Sequence, residues 1–153
     1  MSVSIHLLTR EFLAQAHYIH EQAQPRPWSL TTFEDCTKEP YVGLVASIDG
    51  KVVGYALILF VVDEATLMDI AVDEACRGQG IAKALMENVI DMCEFKHMAS
   101  LWLEVRVNNP AAISLYEKYQ FEHVETRKNY YETNEGKVDA LVMKRHIDFV
   151  CVV

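Results

Sequence analysis

The apolar positions of this chain change period several times along its length. Between residues 41 and 72 they fall into three blocks of strand length, YVGLVASI, KVVGYALILFVV and ATLMDIAV. Asp49-Gly50 divides the first two and signals a hairpin turn, since glycine accepts the positive φ that such turns demand. Asp63-Glu64 turns the chain before the third block. From Ile81 the period becomes helical: Ile81, Leu85, Val89 and Cys93, with Ala84 and Met92, mark a long amphipathic helix. Alternation returns in LWLEVRV, where Leu101, Leu103, Val105 and Val107 face one side and Trp102, Glu104 and Arg106 the other. Asn109-Pro110 then opens a second helix, with Asn as N-cap and Pro in the first turn, carrying Ala112, Ile113, Tyr116 and Tyr119 at helical spacing. Residues 121–132 and 137–146 read as a final strand pair joined by a short, flexible loop, TNEG.

The first forty residues supply the remaining elements. SIHLL at residues 4–8 fits a short strand. Thr9 is a candidate N-cap for a helix bearing Phe12, Leu13, Ala16 and Ile19. PRPW at residues 25–28 breaks that helix, and Ser29 caps another running to about residue 37. The expected order is β-α-α-β-β-β-α-β-α-β-β, an α/β fold of one domain over residues 1–153. Its central βαβ unit predicts parallel pairing inside an otherwise antiparallel, mixed sheet with helices on its faces.

Composition narrows the choice of partner. The longest apolar run, residues 55–62, is too short to cross a bilayer, and the N-terminus lacks the features of a signal peptide, so a cytoplasmic protein is expected. Cys36, Cys76, Cys93 and Cys151 form no CxxC pair and no zinc spacing, which predicts reduced thiols. His17 and His20 lie three apart without further ligands, which predicts a surface pair rather than a metal site. Twenty-two acidic against 14 basic residues, net charge −8, argues against a nucleic-acid partner. That balance suits a cationic partner, such as an amine or a basic peptide tail, and equally suits solubility alone.

Between the third apolar block and the long helix stands CRGQGIAK. A nucleotide-hydrolysing loop needs Gly-Lys-Ser/Thr, which the chain lacks. A dinucleotide turn would place a third glycine where Lys83 stands, and an acid about 20 residues on, at the end of the next strand, is missing too. The spacing [Arg/Gln]-x-x-Gly-x-[Gly/Ala] fits through Arg77, Gly80 and Ala82. Backbone N–H groups at such a turn converge on one anion, and the helix dipole adds positive potential there.

In that turn the chain resembles the GNAT superfamily of N-acetyltransferases. The resemblance covers nearly the whole chain and extends to the RimI family, whose members acetylate the N-terminal alanine of a small-subunit ribosomal protein. It is carried by PWS at residues 27–29, DEATLMDIAV at 63–72, LWLEVRVNNPAAISLYEKYQF at 101–121, RKNYY at 127–131 and DALVM at 139–143. Two departures stand out: Ala82 replaces a common second glycine, and Gln120 stands where glycine often precedes the Phe.

The resemblance implies acetyl-CoA as cosubstrate and direct attack by the acceptor amine in a ternary complex. Ile70, Ala71 and Val72 would pair through their backbone with the pantetheine arm, and the Val72 N–H would face the oxyanion. Arg77, Gly78, Gln79, Gly80, Ile81, Ala82 and Lys83 would cradle the pyrophosphate, and Asn109 would touch the pantetheine arm. Glu104 maps onto the general base and Tyr116 onto the general acid; Tyr131, with Arg106 and Trp28, would meet the acceptor. Cys76 is expected to be a bystander. The implied partner is the N-terminus of a ribosomal protein, with the enzyme a monomer or weak oligomer. The rival acceptors are lysine or a small-molecule amine. A non-catalytic acyl-CoA sensor would keep the turn but lose Glu104 or Tyr116, and both are present.

Overall fold

A computed structural model describes residues 2–148. Its elements are β1 (Ser4–Leu7), α1 (Leu13–Ala23), α2 (Leu30–Asp35), β2 (Tyr41–Ile48), β3 (Lys51–Val61), β4 (Glu64–Val72), α3 (Ile81–Phe95), β5 (Ser100–Arg106), α4 (Pro110–Lys118), β6 (Glu122–Thr133) and β7 (Gly136–His146). Single 3-10 turns, Arg10–Phe12 and Glu74–Cys76, precede α1 and α3. This is the order expected from the apolar pattern.

Local chemistry explains most of the boundaries. Ser29 Oγ accepts from the Thr32 N–H at 3.2 Å and starts α2. Asn109 Oδ1 accepts from the Ala112 N–H at 3.2 Å, with Pro110 in the first position of α4. Thr9 does not cap through its side chain; the chain enters α1 through the 3-10 turn instead. Val107, expected on the buried face with Leu101, Leu103 and Val105, lies past the end of β5 and is exposed. The TNEG segment forms a hydrogen-bonded turn. Thr133 pairs with Gly136, and its Oγ1 both donates to the Gly136 carbonyl and accepts from the Glu135 N–H.

The sheet runs β1-β2-β3-β4-β5-β7-β6, and β4–β5 is its parallel pair. A larger core on one face packs Ile81, Leu85, Met86 and Val89 of α3 and Tyr116 of α4 against Ala56, Ile58, Leu67, Leu101 and Leu103. A smaller core on the other packs Leu13, Ala16 and Ile19 of α1 and Phe33 of α2 against Val45, Tyr55 and Leu57. Cys36 and Cys76 are half-buried and Cys93 buried, all free thiols; Cys151 lies outside the described residues.

Two irregularities shape the centre of the sheet. On β4, Leu57 pairs with Asp69 but Ile58 pairs with Leu67, so Met68 is an extra residue and the strand bulges. The bulge puts Leu67 on the α3 face and Asp69 on the α1 face, where strict alternation would have placed both on one side. Pairing of β4 with β5 stops at Leu67 opposite Leu103. Beyond that pair each strand stays bonded only to its outer neighbour, β4 to β3 as far as Val72 and β5 to β7 as far as Arg106. The result is a V-shaped opening between two parallel strands.

Candidate active site

Two cavities meet at this opening. The larger, about 760 Å³, is lined by Ile70, Ala71 and Val72, by the glycine turn from Cys76 to Lys83 except Gln79, and by α4. The smaller, about 440 Å³, is lined by Glu104, Arg106, Trp28, Tyr130, Tyr131, Asp69, His20 and neighbours on the α1–α2 connection. Gln24, Ile70, Arg106, Asn109 and Tyr116 line both. The residues expected to hold a cofactor thus border one chamber and those expected to meet an acceptor the other. Gln79 is exposed and is not part of the lining.

The backbone of β4 presents donors to the opening. Asp73 N–H donates to the Val53 carbonyl of β3 at 2.8 Å. Successive N–H groups alternate sides, so those of Val72 and Ile70 point away from β3 and into the gap. At the turn, Gly78 and Gly80 have φ of +81° and +79°, a region that side chains with a Cβ disfavour. A Cβ at either position would meet nothing within 4 Å, so the space over the turn is open. Helix α3 has no side-chain cap, which leaves its first-turn N–H groups free to converge on an anion beside Arg77 and Lys83. This donor set fits a pyrophosphate.

Glu104 lies on the face of β5 opposite the larger core. Its Oε1 is 2.8 Å from Arg127 Nη1 of β6, with the carboxylate 29 % exposed. Arg127 also lies over the Tyr130 ring, 5.4 Å from its centroid, and Arg106 lies 6.0 Å from that of Tyr131. Tyr130 and Tyr131 owe their placement to a bulge in β6 between Arg127 and Tyr131. Asn129 adopts φ +53° there, and its N–H is held by Asp139 Oδ1 of β7 at 2.9 Å. Burial, reinforced by the Glu104 carboxylate, pushes the Tyr131 phenol up to about 12.

Tyr116 is buried at 6 % exposure beside Phe121, with ring centroids 5.7 Å apart. The end of α4 fixes it. Phe121 N–H bonds the Tyr116 carbonyl at 3.1 Å and Gln120 N–H the Glu117 carbonyl at 3.0 Å, the pattern of a Schellman stop. Gln120 takes the left-handed position, φ +68°, that glycine would occupy more cheaply. Gln120→Gly is therefore expected to stabilise the fold by about 0.5–1 kcal/mol, measured by chemical denaturation, with turnover unchanged. Desolvation, with smaller contributions from the charges of Asp69 and Tyr131, raises the Tyr116 phenol above its ordinary value, so it keeps its proton at neutral pH.

His20 is not the surface histidine that its spacing suggested. It is 2 % exposed. Its Nδ1 lies 2.7 Å from Asp69 Oδ2 and 2.9 Å from the Tyr55 hydroxyl, and Trp28 N–H donates to its Nε2 at 2.9 Å. Tyr55 donates to Asp69 Oδ2 at 2.5 Å, and Gln24 Nε2 donates to Oδ1 at 3.0 Å. His17, half-buried, bonds the Trp28 carbonyl at 2.8 Å. No group of three or more His, Cys, Asp or Glu is placed to hold a metal among the described residues. The sequence signal for this cluster was an acid inside an apolar strand, Asp69 in ATLMDIAV.

Residues 5–121 match the model of the Acetyltransferase (GNAT) family. The chain belongs to that family. It is therefore read as an N-acetyltransferase, and a structure with the same fold has been solved in complex with acetyl-CoA, that of Arabidopsis thaliana NAA60, at TM-score 0.83. Among relatives, the [Ribosomal protein bS18]-alanine N-acetyltransferase of Escherichia coli K12 is 43 % identical over 131 residues, 86 % of this chain and 88 % of that protein. The protein of that name from Salmonella typhimurium is 39 % identical over 140 residues, 92 % and 95 % of the two chains. The crystal structure of the E. coli ribosomal-protein-S18-alanine N-acetyltransferase superposes with a TM-score of 0.93 at 39 % identity, covering 98 % of this chain and 97 % of that one. Among the described residues no helix is long and apolar enough to cross a membrane.

Proposed function

We propose that this GNAT enzyme acetylates the α-amino group of an N-terminal alanine on a ribosomal protein of the bS18 kind, with acetyl-CoA as cosubstrate and in the cytoplasm. The observation that carries the chemistry is the meeting of the two cavities at Tyr116, with Glu104 on the acceptor side. The choice of acceptor is supported by the names of relatives that align along most of their length.

Acetyl-CoA would supply a thioester. The turn from Arg77 to Lys83 would hold its pyrophosphate, and the backbone of residues 70–72 together with Asn109 would hold the arm in the opening. The thioester would then lie where the two cavities meet, beside the smaller one that would admit the amine. Glu104 takes the proton that the amine must lose, through water. Arg127 engages Oε1 and leaves Oε2 outside the ion pair. An α-amine, with a pKa near 8, needs about two units less help than a lysine near 10.4. The N–H of Val72 points into the opening and would serve as a fixed donor to the oxygen that gains charge. Tyr116, still protonated, gives its proton to the departing thiolate. Trp28, Arg106 and Tyr131 line the smaller cavity and would meet the acceptor backbone. No protein nucleophile is required, and Cys76 on the wall of the larger cavity has no step assigned to it.

The test is acetyl-CoA turnover on a peptide with a free N-terminal Ala, beside the same peptide blocked at its N-terminus and carrying Lys. Turnover is expected with the first and lost with the second. Turnover that survives the block would move the acceptor to lysine.

A further inference from the structure

The connection between α1 and α2, residues 24–29, forms one wall of the smaller cavity through Gln24, Pro25, Arg26 and Trp28. It carries no regular structure of its own. Besides the helix-end bonds of Gln24 and Ser29, three hydrogen bonds tie it to side chains of α1 and β4, and no step above uses them. Gln24 donates to Asp69, Trp28 N–H donates to His20 Nε2, and the Trp28 carbonyl bonds His17. Across the cavity mouth, Arg26 Nη2 reaches Glu132 Oε2 of β6 at 3.2 Å, but both side chains are mostly exposed and such a pair contributes little.

The bonds to His20 fix its tautomer. Nε2 accepts from a backbone N–H, so it carries no proton, and the ring proton sits on Nδ1, facing Asp69 Oδ2. Asp69 receives Tyr55 and Gln24 as well, which matches every donor around it to an acceptor. Adding a proton to Nε2 would set an N–H against the Trp28 N–H in a buried site, and the connection is the part free to yield.

We propose that His20, held by Asp69 and Tyr55, is a positioning residue for the acceptor: with Nε2 unprotonated it fixes the 24–29 connection as the wall of the acceptor cavity, and protonation releases that wall. The inference rests on reading the smaller cavity as the acceptor's. The titratable groups that face His20 are His17 of α1, itself 3.6 Å from Glu21, Tyr55 of β3 and Asp69 of β4; Arg26, Glu104, Arg106, Tyr116, Tyr130, Tyr131 and Glu132 line the same cavity. Of the two histidines, His20 has its acceptor nitrogen aimed at a backbone N–H of the connection, whereas His17 meets a carbonyl there. The direction follows: the wall is in place at higher pH and lost as pH falls.

Two measurements test this. The first is Trp28 emission in a Trp102→Phe background, with far-UV circular dichroism to mark the pH range in which the fold persists. On acidification the emission is expected to shift to longer wavelength, and the shift should vanish with His20→Gln, whose amide oxygen accepts at any pH. The second is the acceptor KM against pH. On acidification it should rise more steeply in the parent than in His20→Gln. The acceptor amine is protonated alike with both enzymes, so the ratio of the two profiles isolates His20. The dissociation constant of acetyl-CoA should not follow it. Unchanged Trp28 emission, a shift that persists in His20→Gln, or superimposable KM profiles would overturn the proposal. Emission needs no acceptor, so a wrong acceptor assignment would show as absent turnover on Ala peptides with the Trp28 shift intact.

Discussion

Glu104→Gln is expected to lower kcat by about 10²-fold or more at neutral pH, with acetyl-CoA binding unchanged. The two halves of that result have separate structural reasons. Glu104 lines the smaller cavity and not the larger, so its loss leaves the cofactor cradle whole. Glutamine keeps the shape and the reach of the side chain but accepts no proton from the amine. The deficit should narrow as pH rises past the ordinary α-amine pKa near 8, since the amine then arrives unprotonated. Stability should barely move, because the pair with Arg127 is part-exposed and such pairs are worth little. Steady-state rates on an Ala-initiated peptide across pH measure all of this. A parental kcat at neutral pH would remove Glu104 from the reaction.

Tyr116→Phe is expected to cost a similar factor, about 10²-fold in kcat, for a different reason: the thiolate leaves without a proton donor. The variant should fold normally. The α4 stop uses the backbone carbonyl of residue 116, and the ring contact with Phe121 survives the loss of the hydroxyl. The phenol is needed protonated, and its surroundings raise it above the ordinary tyrosine range. The parent should therefore show no loss of rate from this group up to pH about 10, the unperturbed tyrosine value. Replacing acetyl-CoA by an acetyl thioester of a more acidic thiol should recover much of the deficit in Tyr116→Phe and little of that in Glu104→Gln. Equal recovery in both would contradict the division of labour between acid and base.

Much of this architecture was legible in the chain, and the exceptions share a cause. Strand and helix periods, the Asn109 and Ser29 caps and the glycine turn are local signals, and the structure has them where the sequence placed them. Glu104 was legible because alternation in β5 fixes its face. The β4 bulge was not, because the added residue, Met68, is as apolar as its neighbours and only the pairing with β3 reveals it; yet Met68 sends Asp69 to the α1 face. His20 was misread for the same reason. Its partners Asp69 and Tyr55 are 49 and 35 positions away, and only the folded sheet brings them together. The β6 bulge that aims Tyr130 and Tyr131 likewise depends on Asp139 of the neighbouring strand. Gln120, a departure from the glycine common at that position, keeps the same left-handed turn and changes only its cost.

The most direct measurement is to locate the acetyl group by tandem mass spectrometry on a single peptide that begins with Ala and contains internal lysines, after incubation with enzyme and acetyl-CoA. The expected product carries one acetyl group, on the α-amine of Ala. Acetyl on a lysine side chain, or an unmodified peptide, would contradict the proposed reaction.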